Sequence, residues 1–195
     1  MGGDRDTWWK VVGNYLGRIS NGIYSRVRAK NTIEIIRKEK VPKGRTLTYA
    51  NFVCDYCPLK SEPCRVILEV GGYRLEYPYD ASSPSASLLE SKLIFNSTIS
   101  YAHQYARFIS CNLKDSLLEN PMSRAEYMRI HSKYFPTDIR DQYNIGGLIV
   151  SDVYVYIKII KGMYGLKQVS IISYNELLSH MEPHGYYSVP FKTGL

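Results

Sequence analysis

With 195 residues, 45% hydrophobic and 22% charged, the chain is long enough for one domain or two small ones and too apolar for a disordered tail. No apolar run approaches the roughly 18–20 residues of a membrane span, and the opening MGGDRDTWWK has no apolar stretch of the kind a secretion signal needs, so no membrane association and an intracellular location, cytoplasmic or nuclear, are expected. The formal net charge is +7, and the first 45 residues carry all of it, with 11 Lys and Arg against 4 Asp and Glu, while the remaining 150 residues are balanced. A basic segment beside a neutral body fits a polyanionic partner such as nucleic acid, and it equally fits a solvated face.

Residues 1–40 read as a basic leader without clear elements, because Gly13, Gly17 and Gly22 are scattered among charged side chains. Its cations, with those that follow, are the candidate nucleic-acid contacts: Arg26, Arg28, Lys30, Arg37, Lys38, Lys43 and Arg45. Ile33, Ile35 and Ile36 mark a short strand or helix. Val41-Pro42-Lys43-Gly44-Arg45 is a turn. Residues 46–56 alternate, with Thr48, Ala50, Phe52, Cys54 and Tyr56 on one face, and residues 64–70 alternate again, with Cys64, Val66, Leu68 and Val70 opposite Arg65, Ile67 and Glu69. Two such runs predict an antiparallel strand pair, and Gly71-Gly72 reads as a hairpin turn.

Cys54-x-x-Cys57, Cys64 and a distant His180-x-x-x-His184 raise the question of zinc. More than 120 residues separate the pairs, whereas a small finger spans about 12–20. No metal site is expected.

Residues 78–87 form a loop, and Ser87 with Glu90 makes a capping box for a helix reaching about Tyr105. Arg107 to Leu113 is a strand candidate, Glu126 to Ile130 a second, and Pro136 to Tyr143 one or two helical turns. Residues 144–152 read as a loop. Val153 to Ile159 alternates cleanly and is the clearest strand of the chain. Gly162-Met163-Tyr164-Gly165 is a sharp turn, and residues 168–182 form a second long helix stopped by Pro183 and Gly185. The fold class is α+β, with a mostly antiparallel sheet and helices on one side.

The run from Tyr156 through Lys161-Gly162-Met163-Tyr164-Gly165-Leu166-Lys167-Gln168 resembles the reverse transcriptase of copia-type retrotransposons, whose members carry a similar K-x-x-Y-G-L-K-Q-A stretch between a palm strand and a palm helix. Other matches occur in the same order as in that family. Val41 to Arg45 resembles the approach to the fingers, Cys64 to Gly72 a fingers strand, Ala81 to Pro84 the turn before the palm, and Phe108 to Leu118 the first catalytic motif. The resemblance implies a partial right-hand polymerase fold over residues 41–195, comprising fingers and an incomplete palm. Its implied partner is an RNA or RNA–DNA template-primer, and the rest of a polyprotein is expected to be missing.

Family members join nucleotides by two-metal phosphoryl transfer, in which carboxylates hold two Mg²⁺ ions. Asn112 stands where the resemblance places the first metal-binding Asp, and no Asp-Asp pair for the second source occurs in the sequence. An amide is neutral and a poor Mg²⁺ ligand, so the chain is expected to hold no cofactor and to be catalytically inactive. By resemblance, Arg65, Asp115, Leu117 and Gln168 fall at nucleotide-pocket positions. Leu117 replaces a bulky aromatic, and Ile67 replaces a second fingers cation. The alternative is a non-catalytic nucleic-acid-binding module that uses the basic N-terminal segment.

Overall fold

The computed structural model describes residues 2–83, 85–110, 113–149 and 153–188. Five strands form one mixed sheet: β1 (Ile33–Ile36), β2 (Leu47–Tyr56), β3 (Cys64–Val70), β4 (Pro121–His131) and β5 (Tyr154–Lys161). Their order is β1-β5-β4-β2-β3, and every neighbouring pair is antiparallel except β2 with β4, which run parallel over Leu47 to Tyr49. The helices are α1 (Gly2–Ile19), α2 (Leu88–Ser100), α3 (Ser116–Glu119), α4 (Thr137–Gln142), α5 (Ile145–Leu148) and α6 (Val169–Met181). The chain is therefore α+β. Among the described residues, no helix is long and apolar enough to cross a membrane.

Strand alternation sends one set of side chains to each sheet face. Val66, Leu68 and Val70 of β3, Met128 and Ile130 of β4, and Val155, Ile157 and Ile159 of β5 share a core with Tyr15, Leu16 and Ile19 of α1, Leu118 of α3, Ile139 of α4, Ile145 of α5 and Val169 of α6. The other face carries a small cluster of Ile36, Tyr127 and Tyr156. β5 is buried on both faces because Val155, Ile157 and Ile159 join the larger core and Tyr156 the smaller cluster.

Residues 1–40 are not a loose leader. Trp8, Val11, Val12, Tyr15, Leu16 and Ile19 recur at helical spacing, and Leu16 and Ile19 are fully buried. Gly13 and Gly17 sit inside this helix, and at Gly17 space is short. A Cβ on Gly17 would collide with Ile23. Thr32 ties the segment to the body. Its N–H donates to the Ile19 carbonyl (2.8 Å), its hydroxyl donates to the Leu118 carbonyl (2.8 Å), and its own carbonyl accepts from the amides of Ile160 (3.0 Å) and Lys161 (3.2 Å).

Other expectations need correction. Gly71-Gly72 closes β3 but makes no hairpin. Gly72 opens a short 3-10 turn and lies against the Gly165 carbonyl, where a Cβ would have no room. Residues 107–110 and 113 form no strand, and Ile109 is exposed. α2 has the expected capping box, with the Ser87 N–H donating to Glu90 (2.7 Å) and the Glu90 N–H to the Ser87 hydroxyl (3.2 Å), yet it buries no residue and ends at Ser100. α5 occupies part of the expected 144–152 loop.

Replacing Ile19 with Ala should destabilise the whole fold by about 2–5 kcal/mol. Thr32→Val, which strands the buried Leu118 carbonyl, should cost about 1–3 kcal/mol. Both shifts are read from denaturant midpoints of a single unfolding transition.

Candidate functional site

The segment 162–168 connects β5 to α6 and is wedged between α3 and the end of β3. The Gly162 N–H donates to the Asn120 carbonyl (2.8 Å), and the Val70 N–H donates to the Tyr164 carbonyl (2.8 Å). Gly162 lies against the Leu117 carbonyl and Gly165, at φ +89°, against the Val70 carbonyl, so neither position has room for a side chain. Lys167 reaches past the turn and donates to the Leu75 carbonyl (3.1 Å).

Three of the four expected pocket residues gather at this junction. Asp115 precedes α3 in the left-handed region (φ +59°), and its carboxylate lies 3.4 Å from the Arg18 guanidinium of α1. Leu117 is half-buried against the core, and its carbonyl faces Gly162. Gln168 is buried at the start of α6, with its amide nitrogen 3.9 Å from the Met122 sulfur. Arg65 is not with them. It sits on the exposed side of β3, paired in register with Asp55, opposite the side that carries Val66, Leu68 and Val70. Asn112 lies outside the described residues.

The N-terminal helix contributes side chains to this junction that reading by motif overlooked. Tyr15 is 4% exposed, and its hydroxyl lies near the Leu68 backbone without a hydrogen bond of normal geometry. Burial pushes its phenol up to about 12, and the nearby Arg18 cation acts weakly in the opposite direction. The Arg18 guanidinium stacks over the Tyr15 ring at 5.1 Å. The helical spacing of α1 was the signal that could have placed these residues.

The donor set does not suit Mg²⁺. The Asp115 carboxylate is already committed to a cation, and among the described residues no group of three His, Cys, Asp or Glu side chains is placed to hold a metal ion.

The basic candidates divide into two groups. Arg26 pairs with Asp138 and Lys30 with Glu119. The Lys30 ammonium holds the Glu119 carboxyl below the ordinary carboxylate value. Arg45 donates to the Ala125 carbonyl and to the buried Glu126 carboxylate (3.1 Å), which Arg124 also holds (3.0 Å). The Lys38 ammonium lies 5.7 Å from the Tyr156 ring centroid. Arg28, Arg37 and Lys43 are exposed. Three of these cations are therefore paired within the chain, Arg26 and Lys30 at the surface and Arg45 on a buried carboxylate.

The chain matches no family model, no curated protein and no solved structure.

The raised Tyr15 phenol has a stability consequence with a definite sign. A group whose folded pKa exceeds its unfolded value contributes stability below the unfolded value, near pH 10, and loses it as pH rises towards 12. Wild-type protein should lose on the order of 2 kcal/mol over that window through this group. Tyr15→Phe should be neutral or stabilising at pH 7 and should flatten the alkaline loss. Denaturant midpoints measured from pH 8 to 12 check both.

Proposed function

We propose that this chain is a reverse-transcriptase-like module of copia-type descent that keeps a partial fingers-and-palm arrangement without nucleotidyl transfer. The observation that carries the reading is the path of the most specific motif. Tyr156 to Gln168 runs as strand, tight turn and helix start, and the turn packs onto the segment holding Asp115 and Leu117. Residues distant in sequence and matched separately to the family thus meet at one junction, as a shared nucleotide pocket requires. The mixed sheet with helices on one face is compatible with a palm.

The same residues argue against chemistry. Two-metal transfer needs carboxylates converging on the primer 3′-oxygen and the triphosphate. This sequence offers Asn112 at the first position and no Asp-Asp pair for the second. Asp115 is neutralised by Arg18, and Arg65 lies apart from the junction. What remains is a surface shaped by a polymerase ancestry, with RNA or an RNA–DNA duplex as its partner class.

A second reading, binding through the basic segment, is favoured by the exposure of Arg28, Arg37 and Lys43. Its footprint is smaller than the charge count suggests, because Arg26, Lys30 and Arg45 already hold internal carboxylates. Deleting residues 1–45 is no clean test of it, since Leu16 and Ile19 belong to the core.

The purified chain should extend no DNA primer on a poly(rA) template with Mg²⁺ or Mn²⁺, and Asn112→Asp alone should not restore extension. Robust template-dependent synthesis by either form would overturn the reading. If the basic segment binds duplex, changing Arg28, Arg37 and Lys43 together to Gln should weaken binding and reduce the salt slope by up to about three phosphates. An unchanged slope would remove the second reading and leave the first standing.

A further inference from the structure

A groove of about 590 Å³ opens between α1 and β2, on a part of the molecule that uses none of Asp115, Leu117 or Gln168. Trp8, Trp9, Phe52 and Tyr134 give it aromatic walls, with Val12 and Ala50 completing the apolar lining. Arg5 is its one charged lining residue, and Asn51 supplies a neutral polar group. The Lys133 ammonium stands 5.0 Å from the Tyr134 ring centroid. The Phe52 and Tyr134 rings are 6.1 Å apart and tilted by 57°, so they support one another without filling the space. Trp8 and Trp9 lie within α1 and are only partly buried, Trp8 also touching the core, while later turns of the helix are buried.

We propose that this groove takes one unstacked base of a single-stranded nucleic acid, held by stacking on the aromatic walls, with the adjoining phosphate on Arg5. The occupant follows from the lining. Aromatic faces suit a flat π-system, and Arg5, the one charged residue of the lining, suits an anionic group on the ligand. The volume is in the range of small-ligand sites, roughly 300–1,000 Å³, enough for a nucleotide unit. The groove is partly open to solvent, so a bound base could remain attached to its strand. Asp4 and Asp6 flank Arg5 in sequence, so the surroundings are not strongly positive. Binding here therefore depends on stacking more than on counterion release. That separates it from the basic-segment reading, whose partner is RNA or an RNA–DNA duplex and whose binding weakens steeply with salt.

The chain contains two tryptophans, and both line this groove, so their fluorescence reports on it directly. Titrating the full chain with an octamer of uridine should quench the emission to saturation, whereas a duplex of equal length should not. The logarithm of the affinity should fall with the logarithm of salt by about 0.7, the value for a single phosphate on a single strand. Arg5→Gln should abolish that slope while keeping the quench, and the exposed Tyr134→Ala should weaken binding roughly 10-fold. No quench at millimolar octamer, equal quenching by duplex, or affinity untouched by both substitutions would overturn the proposal. A quench that follows protein concentration alone, with a dimer seen by sedimentation, would overturn it by assigning the groove to a second copy.

Discussion

Thr32 is the point on which the architecture depends. It is fully buried, and its three polar groups bond to three different parts of the chain: the end of α1, the carbonyl of Leu118 in α3, and the amides at the end of β5. A buried backbone or hydroxyl group left without a partner costs about as much as a lost hydrogen bond and its desolvation together. These elements are therefore fixed relative to one another wherever Thr32 is satisfied. Lys161 adds a further link by donating to the Lys30 carbonyl (2.6 Å). The Asp115–Gly162–Gln168 junction is tied to this anchor, because Thr32 bonds to Leu118 within α3 and to the end of β5, from which the β5–α6 turn leaves.

From that anchor the sheet acquires its two unequal faces. The larger core uses alternate residues of β3, β4 and β5 against the helices, and the smaller face closes over Ile36, Tyr127 and Tyr156. Glu126 is 3% exposed in the middle of β4, and its side chain lies between Arg45 (3.1 Å) and Arg124 (3.0 Å). A buried carboxylate deprived of such partners is strongly destabilising. Arg45 thus serves the fold, whatever else the basic segment does.

Strand alternation was legible where one sheet face is buried. It marked β2, β3 and β5 closely, and the Ser87–Glu90 pair marked the start of α2. The parallel pairing of β2 with β4 was not legible, because partner choice across 80 residues leaves no local pattern. α1 was hidden by Gly13 and Gly17, residues that disfavour an isolated helix, although close packing against Ile23 calls for the second of them. Charge counting showed an excess at the N-terminus and could not show that Arg26, Lys30 and Arg45 meet Asp138, Glu119 and Glu126 some 80 to 112 positions away. The site was partly legible in the same sense. Motif order gathered Asp115, Leu117 and Gln168, whereas Tyr15 and Arg18 came from a segment that matched nothing.

The N-terminal segment is part of the folded body, so its charge is divided between ion pairs within the chain and a reduced exposed set, and its aromatic residues wall a groove. Native-state hydrogen exchange tests this claim most directly. The amides of Leu16 to Ile19 and of Thr32 should exchange as slowly as those of Val155 to Ile159, with the same denaturant dependence, because all would open only in global unfolding. If residues 16–32 exchanged orders of magnitude faster than β5 while β5 stayed protected, the segment would be a detachable leader, and the account would be contradicted.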